Sequence, residues 1–212
     1  MLEGMTAGMA GSMTRVARRK ERTRRVLMEV GLALFYEKGI YWTKIEDITE
    51  RADVGKGTFY QYFDTKEDLL AALLKQGLDH LLTQAKDSAA GAKPGVATLH
   101  KIVESRLQFF LNHPEYLLLL HQIRGLLQLK TQASRRLREI YSAHIDQLGE
   151  VLLPALNGKN KRGRSARELA TALAAYTSGL LTYHLVLDQE GGFRQRGSKL
   201  AAQIQESLTA LL

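Results

Sequence analysis

The sequence predicts an all-α protein of about nine helices, and three observations support that class. Only three of the 212 residues are proline, and 45% are hydrophobic. No segment alternates apolar and polar residues as a half-buried strand does, whereas apolar residues recur at helical spacing through most of the chain. A chain of this length is sufficient for one medium domain or two small ones.

Composition excludes several classes of protein. There is no cysteine, so neither disulfides nor thiolate chemistry contributes, and the longest apolar runs are too short to cross a bilayer. We therefore expect a cytoplasmic protein with no membrane partner. The net charge of +8 favours anionic partners but does not by itself locate a binding face.

Residues 43–66 predict two short helices, a tight turn and the beginning of a third helix. Ile45 and Ile48 give the first helix an apolar side, and Thr43 is placed to cap its first turn. Asp53 falls where the chain must turn, and aspartate tolerates a positive φ better than most residues. Thr65 is the expected N-cap of the following helix.

The second helix of this segment has two different faces. Phe59 and Phe63 are four residues apart and are predicted to enter a core together. The opposite face is polar, and a short exposed helix of this kind is suited to a DNA major groove, whose phosphates and base edges accept hydrogen bonds. The predicted DNA-binding residues are Thr43, Lys44, Lys56, Gly57, Thr58, Tyr60, Gln61, Tyr62 and Lys66, the last facing a phosphate.

The stretch Gly-Lys-Gly-Thr-Phe-Tyr-Gln-Tyr-Phe-x-x-Lys-Glu-Asp-Leu, from Gly55 to Leu69, resembles the helix-turn-helix signature of the TetR/AcrR family of transcriptional regulators. The resemblance covers about residues 20–75. It departs at Asp53, where the family usually has glycine, and at Gly55, where it usually has serine. It implies a three-helix DNA-binding domain at 18–66, linked through a helix at 66–88 to a larger effector-binding and dimerisation domain at 67–212.

Basic residues precede this domain. Seven of the residues from Arg15 to Arg25 are cationic, opposed only by Glu21. Such a run is usually a solvated tail, but its position beside a helix-turn-helix favours contact with phosphates or a minor groove. Residues 1–17 are expected to form a disordered arm. Trp42 is expected in the core or at the rim of the small domain, because a single aromatic does not make a stacking platform.

Local signals divide the rest of the chain into helices. The predicted ranges are 18–38, 66–88, a helix ending before Pro114, 115–130 as a central buried helix, 134–153 ending before Pro154, 165–188 and 197–211. Ser165 and Glu168 form a predicted capping box, and Gly39 is a predicted helix stop. Residues 157–164 are interpreted as a solvated basic linker.

The larger domain carries aromatic and polar residues within apolar helices. They could line a pocket for an apolar or aromatic effector, although each considered alone is better explained as a core residue with a satisfied polar tip. The candidates are Phe109, Tyr116, His121, Arg124, Tyr141, His144, Tyr176, Tyr183 and His184.

The last two helices have longer apolar stripes than a monomer needs, which predicts a four-helix interface with a second copy. The resemblance also implies a dimer, and a dimer of this kind reads a palindromic operator. The predicted interface residues are Leu173, Tyr176, Leu180, Leu200, Ile204 and Leu208.

We therefore expect a DNA-binding regulator, which the resemblance implies is a repressor released by a small molecule. No histidine spacing indicates a metal site, no motif indicates a catalytic nucleophile, and no cofactor or enzymatic activity is expected. Two alternatives remain open at this stage. One is a helical ligand-binding protein or enzyme with a non-regulatory nucleic-acid-binding module, and the other is a nonspecific nucleoid protein.

Overall fold

The computed structural model describes residues 14–156, 165–187 and 197–210, which form nine α-helices and no strand. The helices are α1 (Arg15–Lys38), α2 (Ile45–Arg51), α3 (Lys56–Tyr60), α4 (Lys66–Ala90), α5 (Val96–Asn112), α6 (Pro114–Leu126), α7 (Gln132–Leu156), α8 (Ala166–Thr182) and α9 (Gly197–Thr209). A π-helical turn, Tyr183–Leu187, continues α8. The all-α prediction is confirmed.

The first four helices enclose one apolar centre. Leu27 and Phe35 of α1, Ile48 of α2, Phe59 of α3 and Leu69 of α4 are all fully buried. Gly31 lets α1 approach α4 closely, because a Cβ there would lie 2.7 Å from a methyl carbon of Leu69. This packing fixes the position of the short α3, which is too short to be stable alone.

Helix α4 is 25 residues long and joins two parts of one continuous core. Its beginning packs with the first three helices, and its later leucines pack against α5 and α7. Helices α5 to α9 complete the larger core, in which α9 lies against α5. His100 of α5 contacts the Thr209 hydroxyl at 2.9 Å.

Several predicted helix ends are confirmed. Asp68 donates its backbone N–H to the Thr65 side chain at 3.1 Å, and Ser165 and Glu168 form both bonds of the capping box. Gly39 ends α1 with a φ of 86°. Pro114 separates α5 from α6.

Other boundaries differ from expectation. Helix α1 begins at Arg15 and not at 18, because Thr14 caps it by accepting the N–H of Ala17. Helix α6 ends at Leu126, and Leu129 beyond it is half exposed. Helix α7 continues through Pro154, whose carbonyl accepts the N–H of Gly95 at 2.9 Å. A proline in the last turn interrupts only the end of the hydrogen-bond ladder. The predicted linker at 157–164 and most of the predicted arm lie outside the described residues.

Candidate nucleic-acid interface and ligand interior

Helix α3 has the orientation that its sequence predicted. Phe59 is fully buried and Phe63 is 4% exposed, with ring centroids 5.7 Å apart. Gly57, Tyr60 and Gln61 face solvent, and Thr58 is half-buried. The two phenylalanines anchor the helix, and its polar side remains available to a partner.

The turn before α3 uses a strained residue. Asp53 has a φ of 52°, and the N–H of Val54 bonds the carbonyl of Thr49 at 3.0 Å. Gly55 starts α3 without a side-chain cap. No atom lies within 4 Å of where a Cβ on Gly57 would be, so the surface of α3 at this point is open.

Exposed ion pairs join the first three helices. Lys56 donates to Glu46, and that hydrogen bond lowers the pKa of the Glu46 carboxyl. Arg51 of α2 bonds Glu37 of α1 at 2.5 Å. A surface pair is weak, so Lys56 can exchange Glu46 for a phosphate oxygen at little cost.

Two of the predicted DNA-binding residues make hydrogen bonds within the protein instead of facing a partner. Thr43 is fully buried, and its hydroxyl donates to the carbonyl of Gly39 at 2.8 Å. It does not cap α2, because Asp47 accepts the N–H of Lys44 instead. The Lys66 ammonium donates to the carbonyls of Ile40 and Thr43 at 2.8 and 2.9 Å. The expectations that Thr43 caps α2 and that Lys66 faces a phosphate are wrong.

The structure adds two surface aromatics that sequence reasoning missed. Tyr41 is 83% exposed and Trp42 is 72% exposed, with their rings perpendicular and 5.0 Å apart. Trp42 is therefore not a core residue. Tyr41 lines one shallow cleft with Lys44 and Tyr60.

The basic segment, residues 15–25, is the first part of α1 and is helical from Arg15. Most of its cations are exposed, and the guanidinium of Arg24 lies 5.5 Å from the Phe63 ring centroid. Its charges therefore project from the first turns of α1 and not from an extended arm. The later turns of the same helix pack in the core that holds α3.

Comparison with known proteins finds a family match in this region. Residues 27–73 match the family described as bacterial regulatory proteins, tetR family. The likeness to the TetR family concerns this segment of the chain. The match covers α2, α3 and parts of α1 and α4, where the two phenylalanines and the open polar face lie.

Curated relatives match a similarly limited part of the chain. It is 31% identical over 84 residues to the HTH-type transcriptional repressor KstR2 of Rhodococcus jostii, covering 40% of this chain and 41% of that protein. It is 35% identical over 75 residues to KstR2 of Mycobacterium tuberculosis, covering 35% and 38%. The chain thus spans less than half the length of these curated relatives.

Solved structures resemble the fold of most of the chain. The transcriptional regulator FadR from Bacillus subtilis, in complex with stearoyl-CoA, matches with a TM-score of 0.74 at 17% identity, covering 89% of this chain and 98% of that one. The MbdR regulator from Azoarcus sp. CIB matches with a TM-score of 0.67 at 21% identity, covering 90% and 98%. At these identities the likeness concerns the fold alone.

The predicted effector residues do not converge on one pocket. Phe109 and Tyr116 are buried with ring centroids 5.7 Å apart, and burial raises the pKa of Tyr116 to about 12. The apolar pocket beside Tyr116 has a volume of about 10 Å³, room for one water molecule. By contrast, His121, Arg124 and Tyr183 are exposed, so these three side chains do not line that buried pocket.

The interior contains one charged residue that the sequence analysis missed. Arg106 of α5 is 3% exposed, and its Nε donates to the Thr177 hydroxyl at 2.9 Å. His144 of α7, one of the predicted effector residues, is also 3% exposed. The sequence did contain an indication that Arg106 is buried. Arg106 lies four residues after Ile102 and four before Phe110, so all three share the buried side of α5.

The predicted dimer residues need correction. Leu173, Leu200, Ile204 and Leu208 are at most 3% exposed in a single chain, because α9 packs on α5 and α8. These four cannot form the surface of a second interface without unpacking the monomer. Tyr176 and Leu180 remain partly exposed. Leu180 also lines a surface cleft with Tyr183, His184, Lys199, Leu200 and Gln203.

Within the described parts of the chain, no helix is long and apolar enough to cross a membrane. No cluster of three or more histidine and acidic side chains suited to a metal ion occurs in those same parts.

Proposed function

We propose that this protein is a sequence-specific DNA-binding transcriptional regulator that represses its target until a small molecule releases it. The observation that carries the proposal is the orientation of α3. Phe59 of α3 and Phe63 just beyond it are buried, while Gly57, Tyr60 and the C-cap residue Gln61 face outward. A major groove is wide enough to admit an α-helix that presents such a polar side.

Different groups would have different roles at the DNA. Thr58, Tyr60 and Gln61 are the residues we assign to base edges, and Gly57 permits close approach of the helix. Lys44, Lys56 and the basic segment are assigned to phosphates, which set affinity rather than sequence. Tyr62 is half-buried against the core and supports the helix, with Thr43 and Lys66 holding the loop behind it.

A homodimer would cover the exposed apolar surface that follows α8. Such a dimer would bind a palindromic operator. Tyr183 is 55% exposed and Val186 is 41% exposed, and they continue the line of Tyr176 and Leu180. We assign the interface to these residues. Two copies related by a two-fold axis would present their α3 helices to successive major grooves about 34 Å apart.

Polar contacts provide a route from the larger helices to α3. Gln122 of α6 accepts the N–H of Ile40 at 2.7 Å and donates to the carbonyl of Phe35 at 3.1 Å. Arg136 of α7 bonds Asp68 in the first turn of α4 at 2.5 Å. A ligand that prefers another arrangement of α6 and α7 would shift the DNA-binding helices through these bonds. We therefore divide the chain into a DNA-binding part at 18–66 and an effector-binding and dimerisation part at 67–212, with α4 shared.

The names of similar proteins favour a repressor that a small molecule releases from DNA. KstR2 is described as a transcriptional repressor, and the FadR structure contains stearoyl-CoA. A regulator of this kind acts on cytoplasmic DNA, binds an effector without transforming it and needs no cofactor. Activation, simple ligand storage and nonspecific DNA binding are the outcomes that the experiment below distinguishes.

Selection of genomic DNA fragments by the purified protein tests the proposal, with and without small molecules extracted from cells. We expect a roughly palindromic site whose affinity falls with salt and which the extract releases. Tyr60→Ala should lose that site, and Lys56→Ala should bind all duplexes more weakly, while both variants unfold at the wild-type temperature. Uniform affinity for all duplexes would contradict the proposal.

A further inference from the structure

A cation lies in the interior of the larger helices without an anion. Arg106 is surrounded by neutral groups: Thr177 accepts from its Nε, and the Phe110 ring centroid lies 5.3 Å from its guanidinium carbon. Its Nη2 has no hydrogen-bond partner, and neither ring nitrogen of His144 has one. No acidic side chain of the described residues pairs with Arg106.

Burial of an unpaired cation is costly. A buried cation loses its hydration, and a buried donor without an acceptor adds a further cost. Burial lowers the pKa of Arg106 to about 10, so the guanidinium is still charged at neutral pH. Burial and the nearby guanidinium lower the pKa of His144 to about 3, so its ring is neutral and keeps one N–H to donate.

We propose that Arg106 and His144 form the receptor for an anionic oxygen group, a carboxylate or a phosphate, on the regulatory small molecule. This inference rests on the function proposed above. The free Nη2 and the His144 ring can donate to the same group from α5 and α7, and an anion there would neutralise the buried charge.

The neighbours of Arg106 define the remainder of the ligand. Ile102, Val103 and Phe110 lie on the same buried side of α5 and expose less than 1% of their surface. A molecule whose charged end reaches Arg106 must therefore place its other atoms among apolar side chains. The expected ligand class is an amphiphile with one anionic end and an apolar body.

Binding at this place would also move the helices that carry α3. Both side chains are only 3% exposed, so a ligand enters only if α5, α7 and α8 separate. Phe109 of α5 packs against the His80 ring of α4, with centroids 6.5 Å apart. Displacement of α5 is thereby passed to α4, which continues into the DNA-binding helices.

The test compares octanoate, octyl phosphate and the neutral isostere octanamide, with binding to the full-length protein measured by calorimetry. We expect at least one of the two anions to bind about tenfold or more tightly than octanamide, because a charge-assisted hydrogen bond has no equivalent in the amide. Which anion binds better distinguishes a carboxylate ligand from a phosphate ligand. Equal binding of all three, no binding of any, or a response to chloride alone would overturn the proposal.

Variants assign the preference to the buried site. Arg106→Met should abolish the preference for the anion, and its thermal unfolding should be unchanged or shifted upward because an unpaired buried charge is removed. Arg106→Lys retains the positive charge but loses the paired N–H donors of the guanidinium group, so it should bind the anion more weakly. The matched control is Arg135→Met, which removes an exposed arginine on α7 and should retain the preference. Retention of the preference in Arg106→Met would refute the assignment.

Separate DNA measurements keep the two proposals distinguishable. Sequence-selective DNA binding without any anion preference would overturn the buried receptor and leave the regulator intact. An anion preference that depends on Arg106, without selective DNA binding, would support the receptor and overturn the regulator.

Discussion

Replacing Gly57 by alanine should raise the free energy of unfolding of the protein and weaken its binding to DNA. No atom lies within 4 Å of the added Cβ, and Gly57 does not have a positive φ, so the folded chain accepts the methyl group without strain. Alanine is the better helix residue, and the expected gain in the free energy of unfolding is about 0.5–1 kcal/mol.

The same methyl group occupies the surface that we assign to the major groove. If α3 approaches DNA at Gly57 as closely as proposed, the added group must displace either the helix or the duplex. Overpacking of a tight contact costs about 1–3 kcal/mol, which corresponds to about a 5- to 150-fold loss of affinity. Stability and binding should therefore change in opposite directions.

Thermal unfolding and operator titration measure the two effects. We expect the unfolding temperature of Gly57→Ala to rise by about 2 °C, on the scale of about 2–4 °C per kcal/mol for chains of this size. Gly125→Ala is the matched control, because Gly125 is also helical and open, but lies on α6. It should gain stability and keep full affinity. Unchanged DNA binding by Gly57→Ala would refute the close approach of α3.

Three further predictions concern other parts of the molecule. Phe59→Ala should cost about 3–5 kcal/mol in urea unfolding because the ring is fully buried, whereas Tyr60→Ala should stay within about 0.5 kcal/mol. His144 has a folded-state pKa near 3 and an ordinary value of 6.5, so it contributes stability above pH 6.5 that is lost as pH falls toward 3. His144→Leu should remove that part of the acid sensitivity, at most about 1.4 kcal/mol per pH unit, and an unchanged profile between pH 7 and 4.5 would contradict the assignment. Gln122→Leu removes the acceptor of the Ile40 N–H, so hydrogen exchange at that amide should accelerate, with a loss of about 1–2 kcal/mol.

Local chemistry in the sequence was sufficient for the helices around α3. The four-residue spacing of Phe59 and Phe63 predicted which side is buried, and Asp53 marked the turn because few residues accept its φ. Thr65 and Ser165 identified helix starts for the same reason: each side chain accepts an N–H that has no partner in the helix. These signals depend on residues near one another in the chain.

Long-range bonds were not predictable in the same way. Lys66 finds its acceptors 23 and 26 residues earlier, and Thr43 turns inward because the end of α1 offers it a carbonyl. The apolar stripe of α9 was correctly recognised, yet its partner is α5 of the same chain, and spacing along a helix does not say which surface covers it. Arg106 was predictable by spacing and was missed because a lone arginine is usually exposed.

The ammonium group of Lys66 has a mechanical consequence. It fastens the loop before α2 to the first residue of α4, so the small helices cannot swing independently of that long rod. With 25 residues, α4 extends about 37 Å, and tilting it by about 5° about its far end carries α3 roughly 3 Å sideways. In a symmetric pair both copies would travel, and the gap between them would change by up to about twice that distance. A small rotation of α4 at its far end is then enough to change the distance between the two α3 helices, so that they no longer match the spacing of successive major grooves.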